Sequence, residues 1–532
     1  MLATLLLLAG SAAQADLSVV AFGAVPDDGL DDSVAIQSTL DAACSQGLGV
    51  LFPAGTYDIG TDNLASVLPG DPLVLLRLPC EGLRLRGEGA SRSVLRVMDG
   101  VGAYESVLAA PRFADSVSGL ILEDLAMDGN SAENPVTGDA DLDDILRERR
   151  HALRVYVGQR ISVRRCRFTA WRNVNVLTFN GVDVADVAVV GCEFDGIGAP
   201  PPPAPGTVGD WDHSSIYTDC DGAWLVDNRF ESVDGPGTFG VRAAIETHGP
   251  RQFVLGNEVV AFTSGMNATG ISVLGSAGQW IARNRFLDVS DGIRIWSWTV
   301  PGGPPGETLS GLSITGNCIR IDADGWRGTQ DPFGQAPKGI SLEGRSDGGL
   351  RDVVIEANDI RFLPAATARA WDRDAFGIEL FAEAFPTAPA SDVRIERNRI
   401  RGALSSGIYV GGTLERWTVR ANRIEGAGAG AGVPAGLRSA FVVFGSYAQM
   451  GFRENCVEDR ASRLAQVYYL FDDNRGRCLI QDDGWIRAAS SSAPYVRSDA
   501  TLSARWTVGA PAPDCPSSPP SLGPLVRPFC GG

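Results

Sequence analysis

A short pattern recurs down the second half of this chain: apolar-x-apolar, two residues, then Asn-x-apolar. It reads WLVDNRF at 224–230, FVLGNEV at 253–259, WIARNRF at 280–286 and LSITGNCI at 312–319. It continues as VVIEANDI at 353–360, VRIERNRI at 393–400, WTVRANRI at 417–424 and MGFRENCV at 450–457. The asparagines (Asn228, Asn257, Asn284, Asn317, Asn358, Asn398, Asn422, Asn455) follow one another at 29, 27, 33, 41, 40, 24 and 33 residues. Self-similarity at such a period signals a solenoid, in which each repeat buries its apolar face against the next. A second short strand, usually opened by glycine, lies in each repeat: GISVLG at 270–275, GIRIWSW at 292–298, GISLEG at 339–344, GIELFA at 377–382, GIYVGG at 407–412. Both strand types alternate with period two, and no helix-period segment lies between them. That argues against a leucine-rich repeat and predicts an all-β chain, a single-stranded parallel β-helix with coils stacked at ~4.8 Å. The asparagines then read as a structural amide ladder at a turn.

Two earlier coils fit if cysteine takes the asparagine place, VRRCRF at 163–168 and VVGCEF at 189–194. Cys166 and Cys192 would stack within disulfide reach. Cys44 with Cys80, Cys456 with Cys478 and Cys515 with Cys530 are expected as local pairs, although sequence does not fix connectivity. Asp31-Asp32-Ser33 is an N-cap cluster before VAIQSTLDAACSQ, a helical pattern ending at Gly47. A solenoid's open end exposes an unpaired sheet edge, and this helix can cover it. The expected organisation is a signal peptide at 1–15, an N-terminal cap with first strands at 16–60, the β-helix at 61–480 and a Pro/Ser-rich C-terminal cap or tail at 481–532.

The first residues, MLATLLLLAGSAAQAD, carry an apolar run and an A-x-A cleavage pattern, though no positively charged n-region. With ten cysteines, this points to a secreted, periplasmic or cell-surface protein in a disulfide-permissive compartment. No later apolar run is long enough to span a bilayer, so membrane insertion is not expected. A net charge of −18 argues against a nucleic-acid partner. It also means that an anionic substrate would need local arginines or a bridging cation. Oxygen ligands for calcium abound, but no ligand motif is visible, and the cysteines and histidines have no zinc spacing.

Residues 20–59, VAFGAVPDDGLDDSVAIQSTLDAACSQGLGVLFPAGTYDI, resemble the N-terminal segment of the pectate-lyase superfamily. The carrying pieces are FGAVPDDGLDDSVAIQ at 22–37 and GVLFPAGTYDI at 49–59. The resemblance implies a right-handed parallel β-helix with an N-terminal helical cap, shared by lyases, polygalacturonases, other glycosidases, uronate epimerases and phage tailspikes. Asp27, Asp28, Asp31 and Asp32 therefore read as turn and cap residues.

Stacking the second strands places Leu153, Val174, Ile216, Ile245, Ile271, Ile293, Ile340, Ile378 and Ile408 inward. The outward column that follows reads Arg154, Asn175, Tyr217, Glu246, Ser272, Arg294, Ser341, Glu379, Tyr409. The next reads Tyr156, Leu177, Asp219, His248, Leu274, Trp296, Glu343, Phe381, Gly411. His213 and Arg242 precede the inward residue by three on adjacent coils. The chain has three histidines, and two of them fall here. Asp219, Glu246, His248 and Tyr217 are the expected catalytic residues. A carboxylate beside His248 on the neighbouring coil, Asp219, would fix its tautomer and suit general acid–base work. His213, Arg242, Arg294, Trp296, Glu343 and Glu379 are the expected substrate-binding residues. Long loops before these strands, at 131–150, 196–212, 323–337, 363–375 and 426–438, would wall a groove, with Trp211, Trp326 and Trp371 as sugar platforms. His151 reads as a surface residue. Lys338 reads as a solvated loop lysine or, alternatively, a lyase base. The expected function is an exported polysaccharide-active enzyme, a uronate polysaccharide lyase or a glycoside hydrolase, with epimerase chemistry sharing the lyase's first step. The alternative is a non-catalytic glycan-binding or structural surface protein.

Overall fold

Among the described residues of the computed structural model every strand pairing is parallel, and in the second unit the residues that pair are those the repeat predicts. The structure describes residues 16–63, 73–134, 150–171, 175–198, 214–232, 243–260, 269–274, 277–297, 309–325, 336–344, 349–364, 374–382, 390–430, 433–459 and 464, with short strands at 466–470, 478–480, 485–488, 496–498 and 506–508. The chain divides into two units, 1–193 and 194–532. The expected leader at 1–15, His213, Arg242, Trp211, Trp326, Trp371 and most of the long loops lie outside the described residues.

In the first unit a 14-residue helix, Ser33–Gln46, ends at Gly47 in the left-handed conformation (φ 65°), which glycine adopts without a Cβ penalty. Its buried residues Ile36, Leu40 and Ala43 form one apolar stripe. Gln37 does more: its Nε2 donates to the Arg77 carbonyl (3.0 Å) while its Oε1 accepts from the Arg77 N–H (2.8 Å). One side-chain amide thus satisfies both backbone groups of a sheet-edge residue, closing an edge that would otherwise template aggregation. The expected Cys44–Cys80 disulfide is present, with Cα atoms 5.8 Å apart. The N-terminal aspartates are turn acceptors, as expected. Asp27 accepts from Thr56 N (2.9 Å), Asp28 from Leu30 N (2.9 Å), and Asp31 from Ser33 N (2.8 Å) and Gly60 N (2.9 Å). Asp32 accepts from Val25 N (2.8 Å).

The cores are stacks of identical positions. In the first unit Val50, Leu85, Leu122, Val163 and Val189 pair in sequence and are buried. In the second, Leu225, Val254, Ile281, Ile314, Ile355, Ile395, Val419 and Phe452 do so. The predicted column also pairs in register, Ile216, Ile245, Ile271, Ile293, Ile340, Ile378 and Ile408, and is buried at all but Ile271, whose side chain lies outside the described residues. Each buried Ile or Val contributes about 1.5–3 kcal/mol relative to exposure. Parallel pairing continues to Trp506–Val508, which pairs with Cys478–Ile480.

The asparagine ladder is continuous. From Asn228 to Asn455 each Nδ2 donates to the next Oδ1 at 2.9–3.0 Å. The residue before every rung is left-handed: Asp227, Gly256, Arg283, Gly316, Ala357, Arg397, Ala421 and Glu454. For a non-glycine residue that costs roughly 1–2 kcal/mol, and the satisfied amide offsets it. The glycines that open the second strands have a different cause. A Cβ on Gly292 would lie 2.1 Å from the Gly339 carbonyl oxygen, and one on Gly339 2.4 Å from that of Gly377. At this corner successive backbones touch.

Three expectations need correction. Cys166 and Cys192 are free, buried thiols rather than a disulfide. Each donates to the carbonyl that an asparagine rung would use, Cys166 Sγ to Leu122 O (3.6 Å) and Cys192 Sγ to Val163 O (3.7 Å), so they stand in for ladder residues. Burial pushes the Cys166 thiol well above its ordinary value. Second, Arg154 pairs with Thr178, not Asn175, and Leu153 with Leu177, not Val174, because the strand Asn175–Val190 starts three residues earlier relative to its neighbour than the alternation suggested. Third, His151 is fully buried, not on the surface. Cys318 and Cys456 are disulfide-bonded; the side chain of Cys478 and all of Cys515 and Cys530, and with them the expected Cys456–Cys478 and Cys515–Cys530 pairings, lie outside the described residues.

Candidate active site

The second unit carries one strip of polar side chains on the outer face of its second strands. The register runs Tyr217, Glu246, Ser272, Arg294, Ser341, Glu379, Tyr409, coil by coil. The next column pairs Leu274 with Trp296, Glu343, Phe381 and Gly411. The predicted columns are therefore real for this unit. What alternation could not reveal is that much of the strip is closed to solvent: Arg294 is 0% exposed, Glu246 3%, Glu343 4% and Glu379 7%. A charge so placed must be paired or hydrogen-bonded.

At one end His248 Nε2 lies 2.8 Å from Glu246 Oε1. Glu246 Oε2 accepts from Ser214 Oγ at 2.5 Å. The carboxylate accepts at both oxygens, so Nε2 carries the proton and, in the neutral ring, the lone pair sits on Nδ1. The imidazole retains 20% of its side-chain exposure, and its ring centroid is 4.8 Å from that of Tyr217. Asp219 lies on the same strand as Tyr217 but is exposed and does not bond the imidazole. Its expected role as the partner of His248 falls to Glu246, which reaches the ring from its own strand. Two residues along a strand bring side chains to one face as effectively as one coil of stacking does.

Further along, Lys338 Nζ bonds Glu379 Oε2 and lies 3.4 Å from Glu343 Oε1. Ser341 Oγ donates to Glu379 (2.8 Å) and sits 3.3 Å from Glu343. Arg294 pairs with Asp291, whose Oδ1 also accepts from Lys338 N (3.0 Å). Lys338 is thus buried and doubly paired, not solvated. Burial pulls its pKa down, but Glu379 and Glu343 outweigh that and hold it above its ordinary value. Burial raises Glu379, with Lys338 opposing. Burial likewise pushes Asp291 up to about 6 against Arg294 and Lys338.

Sequence reasoning missed Ser214, Asp291 and, as a site member, Lys338. All three occupy one place, two residues before an inward isoleucine. Strict alternation would point that place inward, but the chain turns at the glycine corner and delivers these side chains onto the strip. The signal was available as a column of Ser214, Asp291 and Lys338 in the aligned repeats. Trp296 takes its expected register, but its side chain lies outside the described residues. Among the described residues no group of three or more His, Cys, Asp or Glu side chains is set to hold a metal ion. No helix among them is long and apolar enough to cross a membrane.

The first unit holds a separate buried cluster. His151 Nδ1 is 2.6 Å from the Asn175 carbonyl, which can only accept, and Nε2 is 3.2 Å from Arg154 Nη1, which can only donate. The ring is therefore the neutral Nδ1–H tautomer. Arg154 also donates to Glu105 (3.1 Å).

No protein-family model matches the chain. It is 32% identical over 116 residues to mannuronan C5-epimerase AlgE4 of Azotobacter vinelandii, covering 22% of this chain and 20% of the epimerase. To AlgE6 of the same organism it is 33% identical over 118 residues, 22% of this chain and 13% of the relative. The matched stretch thus spans a fifth or less of these relatives. Among solved structures, a variant of the tailspike protein of E. coli bacteriophage HK620, in complex with a pentasaccharide, superposes with a TM-score of 0.63 at 14% identity, over 91% of this chain and 79% of the tailspike. The architecture is a right-handed parallel β-helix, the fold that the resemblance of residues 20–59 implies.

Proposed function

We propose that this protein is an exported carbohydrate-active enzyme that removes the C5 proton of a uronate unit in an acidic polysaccharide, with His248 as the base. The observation that carries the reading is the Glu246–His248 pair at 2.8 Å, where, among the described residues, an imidazole on the strip keeps solvent access and the ring of Tyr217 stands beside it. The C5–H bond breaks, the proton goes to Nδ1, and the electron pair spreads into the uronate carboxyl group. Glu246 holds the ring and stabilises the imidazolium that forms. Return of a proton from the opposite face gives the epimer, whereas Tyr217, whose ring lies 4.8 Å from that of His248 on the same side, suits protonation of the O4 leaving group. Loss of the O4 substituent instead gives an unsaturated end. The segment similar to mannuronan C5-epimerases supports this class of reaction, and the Cys44–Cys80 disulfide supports export.

Hydrolysis needs two carboxyl groups free to act across a glycosidic bond. Glu246 is committed to His248 and Ser214, while Glu343 and Glu379 are committed to Lys338, so the strip favours proton abstraction. The test is incubation with polymannuronate, polyguluronate or polygalacturonate in D2O. Deuterium at C5, abolished in His248→Ala, is the expected result. New reducing ends without C5 deuterium would establish hydrolysis instead, and no change in any uronate polymer would leave a binding protein.

A further inference from the structure

Away from the polar strip, on the outer face of the strands that precede the asparagine ladder, three aromatic rings stand in register. Trp224 pairs with Phe253 and Phe253 with Trp280 on successive coils. The first two rings are stacked, with centroids 3.9 Å apart and planes 7° from parallel. Trp280 departs from the stack, its centroid 4.9 Å from Phe253 and its plane tilted by 49°. The residues between them, Leu225, Val254 and Ile281, are buried in the core, so the rings face outward. The next coil offers Ser313 at this position, and the row of rings ends there. Trp280 is 52% exposed, a large apolar surface that fold stability alone does not require.

The surroundings are charged. Arg283, at the turn after Trp280, is exposed, and among the described residues no ion-pair partner faces it. Arg251, beside Phe253, is 63% exposed and pairs with Asp221 at 2.7 Å. Asp227 is exposed at the Trp224 end. Asp221 neutralises Arg251, so the cation left to meet an anionic ligand is Arg283, beside the open tryptophan, on a chain of net charge −18.

We infer that this row is an auxiliary binding platform for an acidic polysaccharide, with Trp280 stacking on a sugar ring and Arg283 meeting a uronate carboxylate. The successive rings are spaced by about one strand repeat, ~4.8 Å, close to the width of a pyranose. The C–H face of a sugar packs on an aromatic ring, and a guanidinium suits a carboxylate. A second copy of this chain is a poorer occupant. A wholly buried aromatic contributes ~150–250 Å², so one half-exposed and two partly buried rings offer at most ~300 Å², against the ~800 Å² per partner of a stable interface. Tyr217 and Trp224 lie seven residues apart on one strand, Ser214–Val226. The platform and the Glu246–His248 site therefore form parallel tracks within the second unit. The choice of an acidic glycan rests on the proposed function; the existence of the platform does not.

The test is affinity electrophoresis of the full chain through gels containing polymannuronate or a neutral glucan, with Trp280→Ala, Trp280→Gln, Arg283→Ala and His248→Ala. Expected is an about tenfold weaker retardation by polymannuronate for both Trp280 variants, from loss of one stacking contact. Arg283→Ala should weaken retardation by the anionic polymer alone, and His248→Ala should retain it. Unchanged retardation of both folded Trp280 variants would overturn the platform. So would a fall in molar mass for Trp280→Gln, which would make the face a contact between copies. If the Trp280 variants bind weakly while wild type gives no C5 deuterium, the enzyme reading fails and the platform stands.

Discussion

Replacing Lys338 by methionine would remove a cation that two buried carboxylates share. Its Nζ lies 3.4 Å from Glu343 and closer still to Glu379, with all three side chains less than a tenth exposed. At an effective dielectric of ~20, one such pair at that separation is worth about 5 kcal/mol of attraction. Relaxation and partial protonation return part of it, and loss of one member of a buried ion pair is typically ~3–5 kcal/mol destabilising. We expect about 3 kcal/mol for Lys338→Met at neutral pH, read as a lower melting temperature of the second unit. The pH dependence gives a sharper check. Lys338 has a raised folded pKa, so its contribution is complete below its ordinary value of 10.5 and is lost as pH rises through the folded value. Glu379 is a carboxyl with a raised folded pKa. The native state therefore holds its proton more tightly than the unfolded chain, and stability from this group declines as pH rises past 4.5. Without Lys338 that decline is steeper, so the variant should recover more stability in acid than wild type does. Lys338→Met/Glu379→Gln should regain more than half of the loss, since neighbours in one network are not additive. A single variant that melts like wild type at neutral pH, with no recovery in acid and no rescue by the second substitution, would refute the reasoning.

Glu246→Gln should lower C5 proton exchange about 10²-fold with an unchanged melting temperature, because the amide keeps the shape but no longer stabilises the imidazolium. Asn358→Ala should cost ~2–4 kcal/mol by chemical denaturation, since it orphans buried donors on Asn317 and removes the Asn358 bonds to Asn398 and Ile314 O; a loss below 1 kcal/mol would deny the ladder its structural role. Cys44→Ser/Cys80→Ser should destabilise the first unit by about 4 kcal/mol, the loop-closure value for a separation of 36 residues. Cys166 and Cys192 should be silent toward a thiol reagent in the native protein and react only on unfolding.

The coil repeat and the N-terminal cap were legible in the sequence because they depend on period and local turn chemistry. Eight asparagines, each before an apolar residue and after a corner, announce a ladder in the amino-acid order itself. The Cys44–Cys80 pair was legible for the same reason, being local. The candidate site was legible in its columns but not in its connections. Glu246 and His248 stand out as an acid and a rare imidazole on one strand, yet coil stacking points to Asp219 as the partner, whereas the i,i+2 neighbour Glu246 is the one that reaches the ring. Lys338 and Asp291 were lost at the glycine corner, where alternation fails. His151 was misplaced because the charged run before it suggested surface, whereas Arg154, Glu105 and the Asn175 carbonyl satisfy an imidazole that only three-dimensional neighbours can reveal.

Each rung from Asn228 to Asn422 gives its backbone N–H and one Nδ2 hydrogen to the Oδ1 of the coil that follows, while the other Nδ2 hydrogen, from Asn257 onward, goes back to a carbonyl of the coil before. The ladder is therefore vectorial, and its two ends are not equivalent to a truncation. Cutting coils from the N-terminal side strips donors from a side-chain oxygen, which water readily replaces, and leaves a single Nδ2 hydrogen without its carbonyl. Cutting from the C-terminal side strands two N–H groups at a buried corner, the costlier orphan. Shortened versions of this protein should tolerate loss at the front of the ladder better than loss at its rear.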